Sequence, residues 1–282
     1  MTSRLLIVNA DDYGLTDGVC RAIVRAHRDG IVTSTSALAV GPAFVANARL
    51  LDDVPDLGVG VHLAVVGEDA PLLSRSEIPT LVDGRGRLAL SWRAFLPRAM
   101  AGRVDVQDME RELTAQIEAV AAALPGRALT HLDSHQHLHL WPRFGALLIE
   151  LADRFAIPAV RATRAAGRSP KSRAVDRLGR RFARRATAAG LRMPDAFAGF
   201  DEGGALVEQH LVATIDRLGA TGVATAEIGL HPGEHDDPAL GRYEWGYRWG
   251  EEGDALVAPS VRDAVARNGF VLGSFAALGA AR

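Results

Sequence analysis

The chain is 282 residues long, 48% apolar and 23% charged, with 32 basic residues against 34 acidic ones and a formal net charge of −2. This is globular composition, so a disordered or collagen-like chain is excluded, and the near balance of charge gives no whole-chain reason to expect nucleic acid as a partner. The single cysteine, Cys20, excludes an internal disulfide and a cysteine-based zinc cluster.

The N-terminal stretch MTSRLLIVNADDYG holds a four-residue apolar run, too short for a signal-peptide core. No segment approaches the ~18 apolar residues of a membrane span, so a cytoplasmic chain is expected. Residues 5–9 (LLIVN) read as a buried strand, followed by a helix over 16–29 with Thr16 as N-cap and Gly30 as the stop. A strand is predicted over 33–40, a helix over 43–52 and a strand over 57–63 (LGVGVHL). Residues 67–104 are irregular and read as an insertion. An amphipathic helix spans 105–123, then a strand 128–133, a helix 141–155, a strand 159–163 and a basic helical stretch to about 189. Helix 206–218, strand 223–230, helix 255–267 and a closing strand over 270–275 complete the pattern.

About seven strands alternating with helices imply parallel strands joined by crossover helices. An open doubly wound sheet and a (β/α) barrel both satisfy this. NADDYG stands where the glycine-rich fingerprint of a dinucleotide fold would follow the first strand. The polar residues fall at strand ends: Asp11 and Asp12, His62, Asp133 and His135, His231 and Ser274, with Arg161 inside the fifth strand. In a barrel such ends converge on the catalytic face. The expected fold is α/β, a distorted TIM-like (β/α) barrel in one domain over 1–282, with the insertion at about 67–104 and a basic helical segment at about 165–192.

Four constellations carry chemistry. Asp11 and Asp12 cannot point the same way from an extended strand, and two ionised carboxylates repel unless a cation compensates, so a metal ligand beside a proton acceptor suits them. An Asx turn capping the next helix is the competing reading. Four of the nine histidines lie within HLDSHQHLH, at 131, 135, 137 and 139. Neutral imidazole is the commonest metal ligand, and a ligating histidine needs a neighbouring carboxylate to fix its tautomer. His135 is the favoured ligand, with Asp133 nearby and His137 and His139 as supports or substrate contacts. His62 would complete two histidines and one carboxylate around a divalent ion, magnesium or zinc. His231, at a strand end before Pro-Gly, is placed to act as a general acid or to cap a helix. Arg161 needs an anionic partner if buried, and Asp11 is the expected one.

Charge is unevenly placed. Positions 161–192 hold eleven basic residues and one acid, Asp176. A solvated helix face is the ordinary meaning, and peripheral contact with anionic lipid headgroups or an acidic substrate the sharper one. Assembly is left open between monomer and homo-oligomer.

Together LLIVNADDYGLTDGV, GIVTSTSALAVG, GVGVHLAVVGE, THLDSHQHLHLWP, AVRATR and GLHPGE resemble the YdjC-like carbohydrate deacetylases, which include chitooligosaccharide and hopanoid-biosynthesis-associated deacetylases. The resemblance covers nearly the whole chain, with the motifs in order, and is loosest over 164–200 and after 232. It implies a distorted (β/α) barrel related to the polysaccharide deacetylases and hydrolysis of N-acetyl groups from amino sugars. By motif it implies Asp12, His62 and His135 as metal ligands, Asp11 as general base and His231 as general acid. Members commonly carry Phe at the place of Tyr13, a substrate-binding or supporting position. Metal-dependent phosphoester hydrolysis and a non-catalytic sugar-binding protein are the alternatives.

Overall fold

The computed structural model describes residues 4–279. Its centre is strand β1 (Arg4–Tyr13), which starts apolar, ends in Asn-Ala-Asp-Asp-Tyr and is buried at every position after Arg4. The other strands are β2 (Ser34–Ala37), β3 (Gly58–Leu63), β4 (Leu129–Ser134), β5 (Ala196–Ala198), β6 (Thr225–Leu230) and β7 (Phe270–Leu272). They form one sheet in the order β4-β3-β2-β1-β6-β5, with β7 pairing the start of β1, and every ladder is parallel. The helices are α1 (Asp17–Arg28), α2 (Phe44–Asn47), α3 (Trp92–Met100), α4 (Val106–Ala123), α5 (Pro142–Arg154), α6 (Pro170–Ala188), α7 (Glu208–Ala220), α8 (Trp249–Val257) and α9 (Pro259–Arg267). Thr16 caps α1 as expected, accepting the Val19 N–H at 3.0 Å. No helix among the described residues is long and apolar enough to cross a membrane.

Side chains alternate across β1, and this alternation builds two cores. Leu6, Val8 and Ala10 join the large cluster shared with the helices. Leu5 and Ile7 join Ala159, Phe275 and Leu278 inside the curl of the sheet. The same inward row continues through Asn9 and Asp11. The interior is therefore apolar at the strands' N-terminal ends and polar at their C-terminal ends.

The expected barrel is distorted at one place. β4 and β5 are the sheet's edges, and single bridges, Leu132 with Val160 and Ala159 with Arg192, carry the curl across the gap between them. The strand expected over 159–163 is reduced to this bridged stretch. By Thr163 the chain has left the sheet to pack on α6, where its carbonyl lies 2.1 Å from the position a Cβ on Gly179 would take. Three further differences have local causes. The 67–104 insertion contains α3, anchored by the buried Phe95. Pro259 has no N–H to continue a helix, so α8 and α9 replace the single helix predicted over 255–267. The helix predicted over 43–52 is α2 followed by a 3₁₀ turn, Ala48–Leu51.

Candidate metal and catalytic centre

Two successive carboxylates on an extended strand face opposite ways. The pairing of β1 with β2 slips between Ala10 and Tyr13, and Asp12 adopts a left-handed backbone (φ 64°). Aspartate enters that region more readily than most side chains, and such irregularities commonly re-aim a functional group. Asp11 and Asp12 thereby both enter the interior, Asp12 fully buried and Asp11 nearly so.

Asp12 Oδ1 lies 3.4 Å from His62 Nε2 and 3.4 Å from His135 Nδ1. The ligand atoms of these three residues all fall within 4.8 Å of one another. Both Asp12 oxygens are buried without a hydrogen-bond donor, a costly state that a cation at the centre of the triad would relieve. Two imidazoles and one carboxylate, a set that leaves coordination positions open, are a fitting donor set for a catalytic divalent ion. His62 Nδ1 donates to Asp133 Oδ1 at 2.8 Å, which turns Nε2 toward Asp12. Burial pushes the His62 imidazole down, but the charges of Asp133, Asp12 and Asp11 override this and raise it to about 9. Burial likewise pushes Asp12 up, and its imidazole neighbours, led by His135, hold it below the usual carboxylate range.

Behind the triad lies Arg161, with no solvent exposure. Its Nη1 and Nη2 grip Asp11 at 2.7 and 2.6 Å, Nη1 also meets Asp133 Oδ2 at 2.8 Å, and Nε donates to Glu227 Oε1 at 2.7 Å. The expected partner, Asp11, is therefore one of three. Asp11 also accepts from Asn9 Nδ2 at 2.7 Å and Ser36 Oγ at 3.3 Å. Burial pushes Asp11 up, but Arg161 holds it ionised, well below the usual range. Asp133 is treated the same way, burial against Arg161 and His62, and comes down to about 2. Glu227 has the single bond to Arg161, so burial prevails and raises it to about 7. A second triad, Asp11, His62 and Asp133, also has ligand spacing, but both its carboxylates are already paired with the guanidinium.

His231 Nε2 stands 3.9 Å from Asp11 Oδ2. Its backbone N–H donates to the buried Glu252 at 2.7 Å, and Glu252 also accepts from Leu206 N–H at 2.8 Å. That carboxylate ties the strand end to α8 and sets the position of the imidazole.

The remaining predicted residues lie beside the centre or away from it. Thr163 Oγ1 bonds His137 Nδ1 at 3.0 Å and His139 Nε2 at 3.1 Å, while Ser134 Oγ bonds His139 Nδ1 at 2.7 Å. These bonds fasten the turn after β4, in which Gln136 and His137 have positive φ (51° and 53°), and so fix His135. Tyr13 does not reach the centre. It has no exposure, and its hydroxyl donates to the Asn47 carbonyl at 2.7 Å. His131 shares the inward face with Asp133 but lies deeper, stacked on Phe275 with ring centroids 3.8 Å apart. On α6, Asp176 pairs with Arg164 and Arg180, and Arg173, Arg177, Arg181 and Arg184 are exposed.

Sequence reasoning missed Asn9, Ser36, Glu227 and Glu252, together with Glu68 and the rings of Trp245 and Tyr247. One signal was present for Glu227: a carboxylate in the otherwise apolar strand ATAEIGL has to be buried with a partner.

The chain matches the YdjC-like proteins over residues 5–267. It is 32% identical over 276 residues to a chitooligosaccharide deacetylase of Serratia marcescens, covering 96% of this chain and 98% of that one. It is 33% identical over 269 residues to a carbohydrate deacetylase of Geobacillus stearothermophilus, covering 95% and 96%. Among solved structures, an Enterococcus faecalis protein named for cellobiose-phosphate cleavage superposes with a TM-score of 0.81 at 26% identity, over 98% of this chain and 99% of that one. With family match and relatives both spanning nearly its full length, this chain belongs to the YdjC-like family.

Proposed function

We propose that this protein is a metal-dependent hydrolase that removes the acetyl group from an N-acetylated amino sugar and releases acetate. The observation that carries the reading is the buried Asp12–His62–His135 triad set beside an Asp11 held ionised by Arg161. The names of the two deacetylase relatives support it.

Asp12, His62 and His135 would hold one divalent ion, and the two imidazole donors suit zinc better than magnesium. Such an ion, when bound, polarises the acetamide carbonyl and lowers the pKa of a water. Asp11 accepts the proton of the attacking water, with both its oxygens oriented by Arg161. A carboxylate this far below neutrality is a weak base, which suits an acidified water. His231 hands a proton to the amide nitrogen as the C–N bond breaks, leaving acetate and a free amine. Asp133 keeps the His62 tautomer fixed throughout. Leu15, Leu38, Val40, Ala64 and Val66 form the apolar side of a narrow recess beside His135, against which the methyl of an acetyl group would pack, and Glu68 and Asp69 form its polar side.

A two-ion phosphoester mechanism has less support, because the second ligand triad is neutralised by Arg161. The exposed arginines of α6 support peripheral contact with anionic headgroups, for which salt-sensitive sedimentation with phosphatidylglycerol vesicles is the check. The main test is acetate release from N,N′-diacetylchitobiose and from N-acetylglucosaminyl lipids, with elemental analysis of the same sample. About one ion per chain and stoichiometric acetate are expected. Ion-loaded protein that releases no acetate from any N-acetylated sugar overturns the reading.

A further inference from the structure

Residues 243–249 read Tyr-Glu-Trp-Gly-Tyr-Arg-Trp, aromatic at every second position. The four rings form a continuous wall, with centroids 5.2 Å apart from Tyr243 to Trp245, 5.6 Å from Trp245 to Tyr247 and 5.2 Å from Tyr247 to Trp249. This wall stands over the catalytic centre. Trp245 lies 5.1 Å from the His135 ring, and Tyr247 lies 4.6 Å from the His231 ring. The outer rings, Tyr243 and Trp249, are buried anchors, whereas Trp245 and Tyr247 are half-buried and keep a free surface.

The wall is tethered rather than loose. The Tyr243 hydroxyl donates to Asp69 Oδ2 at 3.0 Å, and Arg242 pairs with the same carboxylate at 2.9 Å. Trp245 Nε1–H donates to Glu68 Oε1 at 3.0 Å. Gly204 (φ +75°) admits the Tyr247 ring, since a Cβ there would meet a ring carbon at 2.1 Å. Glu68 then shows something that tethering does not use. Its second oxygen, Oε2, is buried with no donor, and the residue lines the recess beside His135 together with Asp69 and Trp245. A buried carboxylate oxygen without a donor is costly, and a ligand hydroxyl would satisfy it.

We propose that Glu68 and Trp245 form the subsite for the sugar ring that carries the acetamide, and that they set its specificity. Trp245 packs on the apolar C–H face of the pyranose, a contact tolerant of hydroxyl configuration. Glu68 Oε2 accepts one ring hydroxyl and so demands it at one position and in one configuration. A site built to hydrogen-bond a substrate hydroxyl rejects an analogue lacking it far more strongly than an apolar surface does. This inference rests on the deacetylase reading and deepens it.

The test measures binding by calorimetry on ion-loaded Asp11→Asn protein, so that ligand is not consumed. The ligands are N,N′-diacetylchitobiose, called chitobiose below, and its monodeoxy analogues, each lacking one hydroxyl of one of the two acetamide-bearing rings. One analogue is expected to bind at least about tenfold more weakly than chitobiose, the rest within about twofold. Adding Glu68→Gln should weaken chitobiose by about the same factor and leave that one analogue nearly unaffected. Trp245→Leu should weaken every ligand alike, and Trp245→Phe should restore most of the loss. Equal binding of all analogues overturns the proposal without any Glu68 variant, and so does a Glu68→Gln effect spread evenly over the series. If the parent protein releases acetate from chitobiose in either case, the subsite alone falls. If it releases none from any N-acetylated sugar and binds none, the deacetylase reading falls with it.

Discussion

Replacing Arg161 by methionine probes the charge balance on which the centre depends. The guanidinium is fully buried and contacts four carboxylate oxygens, two on Asp11 at 2.6 and 2.7 Å, one on Asp133 at 2.8 Å and one on Glu227 at 2.7 Å. Methionine keeps much of the volume and removes the charge, leaving three carboxylates and Asp12 around a single imidazole cation on His62. Removing one partner of a buried ion pair costs about 3–5 kcal/mol, and the attraction lost at about 4 Å and an effective dielectric near 20 is about 4 kcal/mol per pair. Proton uptake limits the damage. Glu227, already raised to about 7 with Arg161 present, will stay protonated to higher pH without it. A group whose folded pKa is raised contributes stability that is complete below its unfolded value, near 4.3, and is lost as pH rises through the folded value. The destabilisation of Arg161→Met should therefore be about 3–5 kcal/mol at neutral pH and grow from pH 5 to 8. Urea unfolding of ion-free and ion-loaded protein measures it, and the loaded form should suffer less, because a bound cation replaces part of the lost charge. Glu227→Gln in the Arg161→Met background should return part of the stability at the alkaline end of this range, where the Glu227 carboxyl would otherwise have to ionise without a partner. An Arg161→Met protein within about 1 kcal/mol of the parent, with no recovery from Glu227→Gln, refutes the assignment of Arg161 as the neutralising centre.

Asp11→Asn preserves the shape of the base and should lower kcat by about 10²- to 10⁴-fold with ion content unchanged by elemental analysis; loss of the ion would instead make Asp11 a ligand. Gly60→Ala would place a Cβ 2.3 Å from His131 Cε1, whose ring is pinned on Phe275, and should cost about 1–3 kcal/mol in thermal or urea unfolding. Burial lowers His131 to about 4 and His139 to about 3, so both are neutral in the fold. Their contribution is complete above the unfolded value near 6.5 and is lost as pH falls toward 4 and 3. Glu227 and His62 gain stability over the same interval, so the check is a difference: between pH 7 and 5 a His131→Asn variant should lose up to about 2 kcal/mol less than the parent in urea unfolding, and an unchanged pH dependence contradicts the neutral burial of His131.

Much of the centre was legible because strand-end chemistry is local. A parallel α/β chain brings its strand C-termini to one face, so Asp11, Asp12, His62, Asp133, His135 and His231 were expected together, and the structure places them within one polar interior. The buried Arg161 was legible for a similar reason, since a strand interior leaves its charge no route to water. Tyr13 shows the limit of motif position. It follows Asp12 directly, yet the slip in the β1–β2 pairing turns the carboxylates inward and sends the ring into the core.

What the amino-acid order determined by itself is the alternation of elements, the strand-end donors and the cap at Thr16, all set by periodicity and backbone chemistry over a few residues. Tertiary structure alone decided depth and reach. His131 and His135 share an inward periodicity, but only the packing of Phe275 places the first in the core and leaves the second beside Asp12. Glu68, from the insertion, and Trp245, from the loop after β6, lie 177 positions apart in sequence and meet over the centre through a 3.0 Å hydrogen bond. The barrel's incomplete closure belongs to the same class, because it depends on where α6 docks against Thr163. Side-chain periodicity records which face a residue takes, whereas the path of a long loop depends on the sum of many weak packing terms across the whole molecule.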